Sequence, residues 1–106
     1  MAAKVLGQAA PLATTNTDLY TVPAGKSAVC STLVICNRDT VSVTYRIAVR
    51  PAGAALANQH YIAYGVTVPA SGSDIYTIGL TLAATDVVTV YASTANTSVS
   101  LFGDES

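Results

Sequence analysis

The sequence predicts an all-β fold: a single antiparallel β-sandwich of about eight strands, wired as a jelly roll or in an immunoglobulin-like order. Three observations predict it. In TVSVTYRIAVR, Thr40 to Arg50, apolar side chains fall on alternate positions (Val41, Val43, Tyr45, Ile47, Val49), the period of a strand with one face buried. Turn chemistry built from Gly, Pro, Asn, Asp and Ser recurs at roughly even spacing and cuts the chain into short pieces. The length of 106 residues suffices for one two-layer core and not for two, so residues 1–106 are read as one domain.

Strands are expected near residues 3–9, 18–22, 27–36, 41–49, 60–68, 75–82, 87–93 and 97–102. The opening MAAKVLGQAAPLATT has little to fold with alone, so residues 1–15 are expected as an N-terminal arm against neighbouring subunits. VPAGK, Val22 to Lys26, ends the second strand, with Pro23 fixing φ and Gly25 free to take a positive one. SAVCSTLVIC carries apolar residues on both parities, which reads as a strand covered on both faces, either at the centre of the domain or against a neighbouring subunit. NRDT, Asn37 to Thr40, is expected as a hairpin connection into the regular strand, and PASGSD, Pro69 to Asp74, as another. Between them RPAGAALANQ is the longest irregular piece, with one helical turn at most. HYIAYGVTV should point Ile62, Tyr64, Val66 and Val68 inward. After it, Tyr76, Ile78, Leu80 and Leu82 share a face, then Val88, Val90 and Ala92, then Val99 and Leu101, with turns at AATD and TANT.

Charge is scarce. Asp, Glu, Lys and Arg make up 10% of the chain, against about 25% in an ordinary soluble domain. Ser and Thr supply polarity instead, which leaves a surface weakly protected against association, so much of the exterior should be covered by other chains. Lys4, Lys26, Arg38, Arg46 and Arg50 are scattered in a chain of net charge −1, without the basic stripe that phosphate neutralisation needs, so nucleic acid is excluded as a partner. No apolar run approaches the ~18 residues of a membrane span. Nor does an apolar h-region follow Lys4, so no secretory signal is read and synthesis in a cytoplasm is expected.

Catalytic chemistry needs convergent groups, and few are offered. Cys30 and Cys36, six positions apart on one strand, would sit about 20 Å apart, too far for a disulfide, and are read as reduced, buried thiols. His60 is the only histidine, so no zinc spacing exists, and no metal or other cofactor is implied. Asp39, Asp74 and Asp86 fall in turns, where Asp satisfies local backbone donors. Nucleophile elbow, phosphate-binding loop and dinucleotide fingerprint are all missing, so the chain is read as not an enzyme. Contact residues are the better candidates. Tyr61 and Tyr91 have the parity opposite to their apolar neighbours, Arg46 and Arg50 lie on the outward side of the regular strand, and Met1, Ala2, Ala3 and Lys4 lead the arm. These eight are taken as interface residues.

LYTVPAGKSAVCSTLVICN, Leu19 to Asn37, and LAATDVVTVYASTANTSVSLFG, Leu82 to Gly103, resemble small β-sandwich structural proteins of tailed bacteriophage virions, the capsid decoration or cement proteins and tail-associated domains. The resemblance implies a virion part assembled in the host cytoplasm, with no catalytic residue to carry over. Its partners would be copies of itself, a trimer being one arrangement, and the major capsid or tail protein. A decoration or cement protein clamping neighbouring capsid subunits is the favoured role. The alternatives are a tail, baseplate or fibre-associated domain, and a carbohydrate-binding module whose tyrosines would stack on a glycan.

Overall fold

The computed structural model describes residues 2–106; Met1, one of the expected contact residues, lies outside them. Nine strands form: β1 (Ala2–Ala9), β2 (Thr17–Thr21), β3 (Ala28–Asn37), β4 (Val43–Arg50), β5 (Tyr61–Val68), β6 (Ser73–Tyr76), β7 (Leu80–Leu82), β8 (Val87–Ala92) and β9 (Thr97–Glu105). One sheet has the order β1-β9-β3-β6, with β7 also paired to β3, and the other the order β2-β8-β4-β5. Every pairing is antiparallel. The two packed sheets make a β-sandwich, and of the two wirings expected this is the jelly roll: successive strands cross from sheet to sheet except at the β4–β5 hairpin and between β6 and β7.

Nine strands replace the expected eight because the segment 75–82 is interrupted. Leu33 faces Tyr76 and Cys30 faces Leu80, so two residues of β3 stand against three, Thr77 to Gly79, and the ladder breaks at that bulge. The expected hairpins at NRDT and PASGSD are also corrected, since both join strands of different sheets. Asn37 holds them there. Its buried amide donates to the carbonyls of Val41, Val68 and Pro69 at 2.9, 3.2 and 3.0 Å, while its Oδ1 accepts from the Asp39 N–H at 2.8 Å. One side chain thus closes the same end of both crossings.

The core lies between the sheets. Tyr45, Ile47, Leu33, Ile35 and Leu101 are fully buried, each such side chain stabilising by about 1.5–3 kcal/mol relative to exposure. Val88, Val90, Ala92 and Val99 face inward as expected. Val41 does not: it precedes β4, in the loop bound to Asn37, and is 57% exposed.

Within the chain β3 is covered on one face only, and register explains why apolar residues fall on both parities. Leu6 of β1 and Ser31 of β3 are each one residue extra against β9, and at Ser31 the inward parity of β3 changes. Ala28 and Cys30 therefore point inward on one side of the bulge, Leu33 and Ile35 on the other, and Val29 is left 46% exposed on the outer face. Burial raises the Cys30 thiol to about 11, which keeps it protonated and inert. Cys36 is half-buried, not in the core, and both cysteines are free.

Residues 2–9 run as an edge strand along β9, so this segment presents its free edge and the outer side of its own sheet to any neighbouring subunit.

Candidate functional site: the outer face of the β2-β8-β4-β5 sheet

Cross-strand register builds this face. Arg46 in β4 is paired with Tyr91 in β8 on one side and with Tyr64 in β5 on the other. Neighbouring strands lie about 4.8 Å apart, so side chains opposite one another on one face must touch. They do: the Arg46 guanidinium carbon lies 4.3 Å from the Tyr64 ring centroid and 4.3 Å from that of Tyr91. The guanidinium thus lies over the faces of two rings, within reach of cation–π attraction to both. Tyr61 meets Tyr64 edge-on, with centroids 4.9 Å apart and planes at 87°.

Tyr64 was expected inside. Two bulges in β5 turn it out. Gly65 and Ile62 are each one residue extra against β4, and Gly65 takes φ +67°, a conformation that L side chains rarely adopt. Val66 and Val68 keep the expected inward face, but beyond Gly65 the parity reverses. Ala63 then pairs with buried Ile47, while Tyr64 ends 61% exposed and Ile62 49% exposed. The glycine within a strand pattern was the available signal, since isolated glycines there mark bulges.

The next row of the face runs Asp18, Thr89, Ala48, Tyr61. Arg50 reaches into it and is fully engaged within the chain. It donates to Asp18 Oδ1 at 3.0 Å, to Thr89 Oγ1 at 3.0 Å, and to the carbonyls of Gly53 and Ala54. That network fixes the 3₁₀ turn Pro51–Gly53, where the Asp86 carboxylate also accepts the Ala52 N–H at 2.8 Å. Arg50, expected as a donor to another chain, is thus committed to Asp18. Arg46 is not so committed. Among the described residues both ion pairs, Lys4–Glu105 and Arg50–Asp18, leave it out, and its side chain donates no hydrogen bond.

Of the other expected contact residues, Tyr61 and Tyr91 join Arg46 on this face, while Ala2, Ala3 and Lys4 belong to the opposite sheet. Lys4 is held by Glu105 at 3.0 Å at the end of the sandwich. His60 is buried, its Nδ1 accepting the Ala57 N–H at 3.0 Å, a local role in the turn before β5.

The outer face of the β1-β9-β3-β6 sheet is different in kind. Val5 and Thr32 flank Phe102 in one row, and Ile75, Val34, Ser100 and Gln8 form the next. Ile75 is 66% exposed, and neither ion pair lies on this face. Where β5 and β6 approach each other, an apolar cleft of about 260 Å³ opens between the sheets, lined by Leu33, Ile47, Ile62, Ala63, Tyr76 and Ile78.

Comparisons with protein families, with characterised proteins and with solved structures return no match for this chain. The two outer faces therefore carry the functional reading.

Proposed function

We propose that this chain is a structural subunit of a tailed-phage particle, a one-domain decoration or cement protein that lies on the shell and clamps neighbouring capsid subunits. What supports the reading is the outer face of the β1-β9-β3-β6 sheet, where exposed Val5, Val29 and Ile75 stand among hydroxyl and amide side chains, with Asp104 beside Val29 and no ion pair on this face among the described residues. Surfaces that remain in water carry about 25–35% charged residues and break up their apolar patches. A sheet face of this composition is suited to being covered.

The fold alone does not choose, because jelly rolls serve both viral shells and lectins. The plate-like shape adds weight. Principal extents of 42 × 28 × 19 Å give broad faces with room for the roughly 800 Å² per partner of a standard interface. Covering the apolar face contributes about 25 cal/mol per Å² of apolar area removed from water, and a plate spanning a subunit boundary turns that adhesion into resistance against separation. Sister copies around a local threefold would share the same face. Assembly would take place in the host cytoplasm, where the thiols of Cys30 and Cys36 stay reduced.

Quantitative mass spectrometry of purified virions tests this. Copies comparable in number to the major capsid protein are expected. A few copies per particle would move the domain to the tail, baseplate or fibre, and its absence from virions would remove the virion reading.

A further inference from the structure

We infer that the Tyr91–Arg46–Tyr64 stack is an anchor site for a carboxylate of a partner protein, an Asp or Glu side chain received edge-on by the Arg46 guanidinium. The virion reading supplies only the identity of that partner; the chemistry of the site stands apart from it. Three observations carry the inference.

The first is charge. Of the cations near this face, Arg50 is neutralised by Asp18 at 3.0 Å and hydrogen-bonded to Thr89, whereas Arg46 has no carboxylate within ion-pair distance among the described residues. The face therefore holds one uncompensated positive charge, half-buried at its centre. An Arg left so in a finished assembly would be costly, and a carboxylate is its natural complement.

The second is preorganisation. The guanidinium carbon lies over two rings, with each centroid 4.3 Å away. Its rotamers are restricted before any partner arrives, so less side-chain entropy remains to be lost on binding. Its N–H groups have no acceptor among the described residues, and they form the fork geometry that takes a carboxylate bidentately.

The third is the orientation of the aromatics, which selects a protein over a saccharide. Sugars stack on open ring faces. Here Tyr64 and Tyr91 each turn a face to Arg46, and Tyr64 also meets Tyr61 edge-on at 87°. A central Arg flanked by tyrosines and rimmed by Thr44, Thr67 and Ala48 has the composition of a protein hot spot.

The test is a nuclear magnetic resonance titration of the full isotope-labelled chain at low ionic strength with three probes: capped hexaglutamate, capped hexaglutamine and a uronic acid hexasaccharide. Hexaglutamate should shift the Arg46 Nε–Hε signal and the Tyr64 and Tyr91 ring signals saturably, and hexaglutamine should not. Arg46→Gln should weaken hexaglutamate binding by about tenfold or more, and Arg46→Lys should recover only part, because the ammonium is not a planar fork. Unchanged melting temperatures would show that both variants fold; should Arg46→Gln unfold, Arg46→Lys and the wild-type probe comparison still decide. Equal shifts with hexaglutamine would overturn the inference, as would preferential binding of the uronate or full binding by Arg46→Gln. Since no virion enters the experiment, a negative result here leaves the shell reading standing, and absence from virions leaves this one standing.

Discussion

The Tyr45 hydroxyl donates to Asp74 Oδ2 at 2.7 Å, crossing from the centre of one sheet to the edge strand of the other, and meets the Tyr76 hydroxyl at the same point. Burial first, then the bonds to Tyr76 and Asp74, push the Tyr45 phenol well above its ordinary value, so it remains a donor. Tyr45→Phe keeps the ring and its edge-on contact with Tyr76 but leaves both polar partners short of a bond. We predict a loss of about 1.5–3 kcal/mol in urea unfolding, the range for hydrogen bonds to charged groups. Asp74→Asn should cost less alone and add little to Tyr45→Phe, because the two sites share one interaction. Full additivity in the double-mutant cycle would contradict the linkage.

Thr97 presents the reverse case. Its hydroxyl is buried without a partner among the described residues, at the start of β9. Thr97→Val has the same shape and removes the unsatisfied oxygen, so a gain of about 1 kcal/mol is expected. A destabilised valine variant would mean that the hydroxyl is bonded in solution.

Three glycines should respond differently to alanine. At Gly103 an added Cβ would stand 2.2 Å from the Val29 carbonyl oxygen, between strands that cannot separate without breaking the ladder, so Gly103→Ala should be strongly destabilising. Gly65 has open space around it but φ +67°, and Gly65→Ala should cost about 1 kcal/mol through backbone strain. It should also disturb the Tyr64 ring signals, because the bulge aims that residue. Gly79 has neither restriction, and Gly79→Ala should be neutral or slightly stabilising. Circular dichroism melts rank the three.

These glycines also mark where sequence reading stopped. Alternation located most strands and the inward faces of β4, β8 and β9, because a period of two is enforced wherever one face is buried. It misplaced Tyr64 and did not locate the change of face within β3 for one reason: a single extra residue at Gly65 or Ser31 reverses the side chains that follow it until the next bulge. Strand order was open for a different reason, since hairpins and sheet-to-sheet crossings use the same turn chemistry, and what separates them here is the buried amide of Asn37. Arg46, Tyr61 and Tyr91 were visible as outward residues. Their assembly around Tyr64 was not, because cross-strand register cannot be read from any one strand.

Glu105 should impose an acid limb on stability. The Tyr20 hydroxyl donates to Oε2 at 2.6 Å and Lys4 to Oε1 at 3.0 Å, and these bonds, Tyr20's foremost, hold the carboxyl below the usual carboxylate range. The lowered value belongs to the folded state alone. Between it and the ordinary value of about 4.3, the unfolded chain binds more protons, so stability rises with pH. The contribution is complete above that ordinary value and is lost as pH falls through the folded one. Glu105→Gln should therefore be less stable than the wild type at pH 7, with the gap closing on acidification. A gap that stayed constant with pH would assign the effect to lost packing.

The composition of the β1-β9-β3-β6 face makes the last prediction. Val29 and Ile75 are exposed on its surface, so Val29→Lys and Ile75→Lys bury no charge and should change the stability of the isolated domain by no more than about 0.5 kcal/mol. If the face is meant to be covered, the same substitutions place a solvated ammonium where a neighbour must desolvate it. Sedimentation should show less self-association of the double variant, and particles lacking the protein should take it up poorly when it is added back. Tyr61→Ala, on the other sheet, serves as the matched control for that step, since it removes a half-buried ring of the outer face without adding charge. Wild-type recruitment of the double lysine variant, alongside a defect in Tyr61→Ala, would transfer the particle contact to the Arg46 face. A defect confined to the lysine variant is the outcome that this apolar surface, with Asp104 as its carboxylate beside Val29, requires.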